Sequence, residues 1–309
     1  MSNSITDFFS NMKLTWCFLK RFKLRKTLRF FTYYKERNHK IKNLKNIQPI
    51  VQLNGYQLST IPDDIGISRE LQIFKTHEPL ATKLTSKILE KGMTCLDIGA
   101  NIGYYAFLES KAIGENGKVI AIEPSPINFK QLKKNLELNN FSNVEVYNFA
   151  GGDKKGKVEF VLSPLSNLSY VATSRTKIPE GAQITEVQMI KMDDFVEEKK
   201  LSKVDFVRMD VEGYEINIFE GMWGTIKKFK PIIQMEFHVQ SIGQKEQLKF
   251  FTTLRDLGYE IKHYIPRALD FAIIGEESDV KNYSIDEFIE MIKKKMFIYA
   301  YIVFLKHSK

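Results

Sequence analysis

The stretch Cys95–Tyr105, which reads CLDIGANIGYY, contains the turn that decides the fold. A short apolar strand ends at Asp97, a glycine turn follows it, and a helix begins near Tyr104. Glycine permits tight turns and lets a ligand approach the main chain closely. The turn itself runs Gly99-Ala100-Asn101-Ile102-Gly103. It therefore predicts a ligand-binding turn after the first strand of an α/β domain.

The kind of ligand follows from Asp97 and from the spacing of the glycines. The dinucleotide fingerprint G-x-G-x-x-G is absent, because Asn101 stands at its middle position and no third glycine follows. A carboxylate at Asp97 would repel a diphosphate, but it would attract a ligand with a cationic end. S-adenosylmethionine is such a ligand, since it carries an ammonium group and a sulfonium and has no phosphate. The same two features disfavour an NAD-dependent oxidoreductase.

Strands and helices alternate from residue 94, which predicts βαβ units and a mostly parallel, doubly wound sheet. The strand segments are TCLDIG (94–99), KVIAIE (118–123), VEVYNF (144–149), KVDFVRMD (203–210) and PIIQMEF (231–237). A helix is predicted over residues 69–91. Residues 157–192 interrupt the alternation with two strand-like segments around a polar loop, Ser163 to Ile184, which either covers the site or is a plain surface insertion. The last segment, MFIYAYIVFLK (296–306), is expected to be a strand that could run antiparallel.

The positive charge of the chain is concentrated at its N-terminus. Residues 1–45 contain twelve lysines and arginines and two acids, whereas the remainder has 34 basic and 35 acidic residues. We therefore expect a basic arm, 1–45, and a nearly neutral domain, 46–309, made of a lead-in, 46–91, and a core, 92–309. Nothing in that domain predicts a nucleic-acid groove. Only Cys17 and Cys95 are present and no secretory signal is evident, which favours a cytoplasmic protein.

Acidic residues follow the second and third predicted strands as well as the first. Glu123 ends the second strand, where a carboxylate accepts hydrogen bonds from ribose hydroxyls. Asp153 follows the third strand in a loop that could reach an adenine amino group. For each of these acids the alternative is a helix cap or a solvated turn. The combination of Asp97, Glu123 and Asp153 at these spacings favours a nucleoside-containing cofactor.

A second group of polar residues ends the fourth and fifth strands, which read MDVEG and MEFH. It comprises Asp210, Glu212, Glu236 and His238. Three carboxylates and an imidazole in adjacent loops are costly unless they are used or paired. Either His238 or Glu236 is a general base, or Asp210, Glu236 and His238 hold a divalent ion that lowers the pKa of the acceptor. The remaining alternative is that Glu212 caps a helix and His238 is an exposed loop residue.

Three segments together resemble the FkbM family of S-adenosylmethionine-dependent methyltransferases. They are EPLATKLTSKILEKGMTCLDIGANIGYYAF (78–107), IAIEPSPINFKQLKKNLELNN (120–140) and DFVRMDVEGYEINIFEGM (205–222), within a match over roughly residues 74–240. The resemblance implies a class I, Rossmann-like fold with sheet order 3-2-1-4-5-7-6 and an antiparallel last strand. It places Glu78, Asp97, Gly99, Asn101 and Glu123 around the cofactor, and Asp210 and Glu212 at the edge of the active site. Ala100, Gly103 and Asp153 complete the predicted cofactor set, to which Asp210 also belongs.

The resemblance implies methylation of a hydroxyl group, often on a sugar. We therefore expect an O-methyltransferase that acts on a saccharide or on another small or lipid-linked acceptor. The alternatives are an N- or carboxyl-directed methyltransferase on the same fold, a nucleotide-binding oxidoreductase, and a binding protein that has lost turnover. The oligomeric state and the acceptor do not follow from the residues.

The N-terminal arm is the part that the family does not explain. Phe8, Met12, Trp16, Leu19 and Phe22 lie on one face of a helix and are flanked by lysines and arginines. Such a helix is typical of a membrane interface with anionic lipid, which would make the protein peripheral on the inner membrane face. The alternatives are packing of the arm on the domain or on another subunit, and contact with nucleic acid, which the domain does not support.

Overall fold

The structure is a computed structural model that describes residues 24–44, 48–62, 64, 66–163, 168–173, 178, 182–267, 270, 275–297 and 300–308. The predicted amphipathic face from Phe8 to Phe22 lies outside these residues. None of the helices within the described ranges is both long enough and apolar enough to cross a membrane.

The described strands number fourteen and contain nearly half of the buried apolar residues. They are β1 (Ile50–Gln52), β2 (Gln57–Ser59), β3 (Thr94–Ile98), β4 (Lys118–Ile122), β5 (Val144–Tyr147), β6 (Ala150–Gly152), β7 (Gly156–Leu162), β8 (Tyr170–Val171), β9 (Gln183–Lys191), β10 (Phe206–Met209), β11 (Ile232–Phe237), β12 (Tyr259–Pro266), β13 (Lys281–Tyr283) and β14 (Tyr301–His307). Every residue of β3 and β10 is buried, as expected for strands covered by helices on both faces.

The α-helices of the same ranges precede, connect and cover the strands. They are α1 (Leu24–Asn43), α2 (Ile67–Phe74), α3 (Pro79–Ile88), α4 (Tyr104–Ile113), α5 (Pro126–Asn139), α6 (Met192–Glu198), α7 (Glu215–Glu220), α8 (Trp223–Phe229), α9 (Gln244–Asp256) and α10 (Ile285–Lys293). The single helix predicted over 69–91 is wrong, because α2 ends at the left-handed Lys75 and α3 begins at Pro79. Proline lacks the backbone N–H that a continuous helix would need.

The main sheet has the order β13-β12-β14-β11-β10-β3-β4-β5. Strands β5, β4, β3, β10 and β11 are parallel, and β14 pairs antiparallel with both β11 and β12. Without the extra edge strand β13, this is the predicted order 3-2-1-4-5-7-6, and the antiparallel last strand is confirmed. The strand order reverses between β3 and β10, so the crevice at their carboxyl ends is the place where a ligand is expected.

A second sheet of four strands, β6-β9-β7-β8, is inserted after β5. The third predicted strand, VEVYNF, therefore ends early at Tyr147, and Ala150–Gly152 pairs with β9 instead. The two strand-like segments predicted in 157–192 are confirmed as β7 and β9, which pair antiparallel. Much of the polar loop that begins at Ser163 lies outside the described residues.

The helix α1 packs on the domain. Phe30 and Ile41 are buried, and the ring of Tyr33 lies 6.3 Å from that of Phe74 in α2. Arg69 donates a hydrogen bond from Nη1 to the Ile41 carbonyl oxygen at 2.9 Å. For residues 24–43, the structure therefore shows packing on the domain, which was the alternative to the membrane interface.

Candidate active site

A cavity lies at the carboxyl ends of β3, β4 and β10, where the strand order reverses. It contains about 780 Å³ of space with its open mouth included. Its walls include the predicted residues Gly99, Ala100, Asn101, Glu123, Asp210 and Glu212. Apolar side chains, among them Phe160 and Val171 from the inserted sheet, complete the walls. The cavity thus has a polar side at the strand ends and an apolar side below the second sheet.

The glycine turn brings the main chain close to the end of β10. Gly99 has a φ of +88°, and a Cβ atom there would lie 1.9 Å from the Asp210 carbonyl oxygen. A larger residue is therefore excluded at this position. Gly103, with a φ of +100°, begins α4, and a Cβ there would collide with Phe107 and Leu132. Gly103 shapes the turn but does not line the cavity.

Glu123 presents a buried carboxylate to the cavity. Its Oε2 accepts a hydrogen bond from the Asn101 backbone N–H and its Oε1 one from the Ser125 backbone N–H, both at 2.8 Å. Burial raises the pKa of Glu123 to about 7, against the opposing effect of these two bonds. A side-chain hydrogen bond from Asn128 also favours the ionised form, and the carboxylate retains acceptor capacity for a ligand hydroxyl.

Asp97 lies directly behind the cavity and is paired with an arginine that the sequence analysis missed. Arg208 stands beside it in register and donates from Nη1 to Asp97 Oδ1 and from Nη2 to Asp210 Oδ2, each at 3.0 Å. Asp97 Oδ2 is buried and has no hydrogen-bond partner among the described residues. Burial raises the pKa of Asp97 although Arg208 opposes the shift. The signal for Arg208 was a charged residue inside the apolar strand FVRM.

Like Asp97 and Gly103, the predicted cofactor residues Glu78 and Asp153 do not line the cavity. Glu78 is buried at the start of α3, where its Oε2 accepts from the Tyr105 hydroxyl at 2.8 Å and its Oε1 lies 3.0 Å from Arg267 Nη2. Asp153 is exposed beyond β6, because the chain leaves the main sheet after β5. A contact between Asp153 and adenine therefore stays a prediction, and the exposed position of Asp153 does not favour it. Glu78 contacts His77 and Tyr105, which line the cavity.

His238 stands among three carboxylates at the end of β11. Its Nδ1 lies 2.5 Å from Glu215 Oε1, and its Nε2 lies 3.2 Å from Glu212 Oε2 and 3.4 Å from Glu236 Oε1. Burial opposes a charged ring, yet Glu212 and Glu215 raise the pKa of His238 well above its ordinary value. Glu215, the first residue of α7, was also missed. It is fully buried and fixes the orientation of the imidazole.

Glu236 is held by Arg267, which follows β12. Arg267 Nε donates to both carboxylate oxygens, at 2.9 and 3.0 Å. Burial raises the pKa of Glu236 to about 8, even though Arg267 and His238 favour its ionised form. Arg267 gave no signal in the sequence, because its partners lie 31 and 189 positions away along the chain.

Among the described residues, two sets of oxygen and nitrogen atoms lie close enough together to hold an ion. One comprises Asp210, Glu212 and His238, and the other Glu78, Asp210 and Glu236. The predicted metal set of Asp210, Glu236 and His238 is therefore divided between them. In both sets, side chains are already paired with Arg208, Arg267 or one another. These pairs balance the charges without an ion, and a metal requirement stays a prediction.

The carboxyl ends of the strands that build the cavity lie within a segment that matches a known protein family. The sequence model of the methyltransferase FkbM domain matches residues 97–261, from Asp97 through the strands that build the cavity. This chain belongs to the FkbM methyltransferase family. It is therefore an S-adenosylmethionine-dependent methyltransferase, and the alternative of a nucleotide-binding oxidoreductase is wrong.

Relatives of this FkbM methyltransferase differ in the acceptors that their names describe. A protein-L-isoaspartate O-methyltransferase of Methanococcus maripaludis is 32% identical over 136 residues, which are 38% of this chain and 62% of the relative. The hexuronic acid methyltransferase AglP of Haloferax volcanii is 26% identical over 183 residues, 59% of this chain and 70% of the relative. The crystal structure of an FkbM methyltransferase from Methylobacillus flagellatus superposes with a TM-score of 0.42 at 16% identity. That superposition covers 70% of this chain and 44% of that one.

Proposed function

We propose that this FkbM methyltransferase methylates a hydroxyl group of a saccharide or other small acceptor. The observation that carries the proposal is the orientation of His238 by the buried Glu215, with the other ring nitrogen beside Glu212 at the cavity wall. An alcohol needs such a proton acceptor, because it is a poor nucleophile until its proton is shared. A sugar acceptor is also consistent with the name of the Haloferax relative.

The residues of the cavity fit S-adenosylmethionine. Directly behind the cavity, the unpartnered and buried Oδ2 of Asp97 is an acceptor that an ammonium group would satisfy, and Glu123 has acceptor capacity for the ribose hydroxyls. Arg208 lines the cavity and supplies donors for the amino-acid carboxylate. When bound, the cofactor supplies an electrophilic methyl group and a good leaving group.

The protein then has to position the acceptor and take its proton. In the displacement, a carbon–oxygen bond forms, the carbon–sulfur bond breaks, and the acceptor proton passes to Nε2 of a neutral His238. Glu215 holds Nδ1 and stabilises the imidazolium that results. Glu236, fixed by Arg267, lies 3.4 Å from the same Nε2 and is the second candidate base. Positioning and proton removal together are the main contributions that a methyl transfer requires from the protein.

The need for a base distinguishes the acceptor classes. A carboxylate acceptor is already ionised near neutral pH and needs no proton acceptor. A neutral hydroxyl does need one, and His238 and Glu236 offer it beside Glu212 in the cavity wall. We therefore favour ether formation over the ester formation that a carboxyl-directed enzyme would perform.

The test is to incubate the protein with methyl-labelled S-adenosylmethionine and a cell extract, and to fractionate the labelled products. Label on a hydroxyl forms an ether that survives mild alkali, whereas label on a carboxylate forms an ester that releases volatile methanol. We expect alkali-stable label in a saccharide or small-molecule fraction, and none with the His238→Gln variant. Alkali-labile label would overturn hydroxyl methylation. If a chelator abolished the activity and Mg²⁺ restored it, metal-assisted catalysis would take the place of catalysis by a base alone in the proposal.

Asp97→Asn is expected to weaken S-adenosylmethionine binding by roughly 1.5–3 kcal/mol, because it removes a charge-assisted hydrogen bond. Isothermal titration calorimetry measures the change. Asp153→Asn is the matched control, since Asp153 is exposed beyond β6 whereas Asp97 is buried directly behind the cavity. Unchanged affinity in Asp97→Asn would contradict the assignment of Asp97, and weakened affinity in Asp153→Asn would support an adenine contact by Asp153.

Cofactor affinity should rise with pH through the pKa of Glu123. The pKa of Glu123 is raised to about 7, so its ionised form is depleted below neutrality. This is the form that accepts the hydrogen bonds of the protein and, in the proposal, those of the ribose hydroxyls. If that form alone binds, affinity should increase about tenfold between pH 6 and pH 8, since ionisation becomes nearly complete. The cofactor titrates as well, so the difference between wild type and Glu123→Gln is the quantity to measure. An identical pH dependence in the two proteins would contradict the assignment.

A further inference from the structure

A continuous series of buried charged side chains joins the N-terminal helix to the catalytic residues. We call it the charge chain. Its successive contacts are Arg37–Glu70 at 2.7 Å, Glu70–His77 at 3.2 Å, His77–Glu78 at 3.4 Å, Glu78–Arg267 at 3.0 Å, Arg267–Glu236 at 2.9 Å and Glu236–His238 at 3.4 Å. None of these side chains is more than 14% exposed. Basic and acidic residues alternate throughout.

The alternation makes each inner position depend on two neighbours. Burial opposes the charged form of Glu70, but His77 and Arg37 outweigh it and lower the pKa of the carboxyl. Burial opposes a charged His77 as well, yet Glu78 and Glu70 raise the pKa of its ring well above the ordinary value. Removal of one charged side chain from a buried pair leaves the charge of its partner uncompensated. That partner should then interact more strongly with its other neighbour in the charge chain.

Arg37 is the outer end of the charge chain and belongs to α1. It is buried on that helix between Phe30 and Ile41, which anchor α1 to the domain. Its Nη2 donates to Glu70 Oε2, 33 positions later in the sequence. The inner end, Glu236 and His238, is the pair to which we assign the acceptor proton. The N-terminal helix, which lies outside the cavity wall, is thus joined to the proposed base through successive side-chain contacts.

We propose that Arg37 is a positioning residue for the active site, and that α1 is part of the catalytic apparatus. The inference deepens the proposed function, because it assigns a role in aligning Glu236 and His238 to the arm. Without Arg37, the contact between Glu70 and His77 would strengthen and the contact between His77 and Glu78 would weaken. Glu78 would then interact more strongly with Arg267, and the hydrogen bonds from Arg267 to Glu236 would weaken.

The contact between Arg267 and Glu236 can be followed at the Nε–H of Arg267, because this group donates the hydrogen bonds to both oxygens of Glu236. Its resonance is followed in the ¹⁵N-labelled full-length protein without cofactor and is assigned with Arg267→Lys. We expect Arg37→Met to accelerate exchange of this hydrogen with water roughly 2- to 30-fold, the range found for coupling through packed networks. Arg69→Met is the matched control, since Arg69 holds α1 through the Ile41 carbonyl but is not in the charge chain.

Equal acceleration in Arg37→Met and Arg69→Met would show general loosening of α1 and would overturn the proposal, as would unchanged exchange in Arg37→Met. If Arg37→Met fails to fold, the double variant Arg37→Gln/Glu70→Gln removes both charges together. His77 should then pair more strongly with Glu78, so Glu78 should compete less for Arg267 and the exchange should slow instead of accelerating; faster or unchanged exchange in the double variant would overturn the proposal. A cycle with His77→Gln tests the route: in that background, Arg37→Met should no longer change the exchange. The experiment measures no methyl transfer, so its failure is distinguishable from failure of the proposed function.

Discussion

His238→Gln should lower methyl transfer by about 10²–10⁴-fold, the usual loss when a positioned base is removed, while S-adenosylmethionine affinity stays nearly unchanged. Glutamine keeps much of the shape of histidine but cannot take a proton. The effect is specific because Glu215 fixes Nδ1 and leaves Nε2 to act beside Glu212 and Glu236. Turnover with the labelled fraction and calorimetry with the cofactor measure the two quantities separately.

The pH dependence of the same reaction checks the assignment. The pKa of His238 is raised well above its ordinary value, and that of Glu236 is raised to about 8. A base with a raised pKa is protonated at neutral pH, so the rate should increase as the pH rises above 7 and level off once the proton is lost. His263→Gln is a matched control in β12, outside the cavity. Wild-type turnover in His238→Gln would transfer the role of base to Glu236, for which Glu236→Gln is the corresponding variant.

Arg208→Met should lower the free energy of unfolding by about 3–5 kcal/mol, because it leaves buried carboxylates without their counter-charge. The Arg208 guanidinium bridges Asp97 and Asp210 and lies 3.9 Å from the centre of the Tyr105 ring. Methionine fills similar apolar space but cannot compensate either charge. Urea unfolding followed by circular dichroism measures the change.

The loss of unfolding free energy in Arg208→Met should be smaller at acidic than at basic pH. Burial already raises the pKa of Asp97, and loss of Arg208 removes the main group that opposes the shift. Asp97 can therefore take up a proton at mildly acidic pH in the variant, so the destabilisation should be smaller at pH 5 than at pH 8. Arg255→Met is the control, since Arg255 pairs with Asp256 and Asp286 on the exposed surface. A comparable loss of stability in Arg255→Met would contradict the explanation by buried charge.

The parallel strands of the main sheet were predictable from local patterns that recur along the chain, whereas the order of the strands was implied by the resemblance to the FkbM family. Short apolar strands, each followed by a turn and a helix, predict parallel βαβ units whatever the distant contacts are. The turn Gly99 to Gly103 and the acid at Glu123 were predictable for the same reason, since each lies immediately after its own strand. Asp153 failed to reach the cavity wall because two residues, Asn148 and Phe149, lead the chain out of the main sheet.

The sequence by itself determined the class of the domain, the family, the cofactor class and the strand ends at which the site residues lie. Only the tertiary structure decided which of these side chains meet and in what charge state. Glu215 and Arg267 have no local signature, and the charge of Arg208 inside an apolar strand does not name its partners, because the roles of all three depend on partners brought together by the sheet. The same holds for Arg37, which reaches Glu70 only after α1 packs on the domain. Charge pairing acts through space over a few ångströms, and sequence separation does not measure that distance.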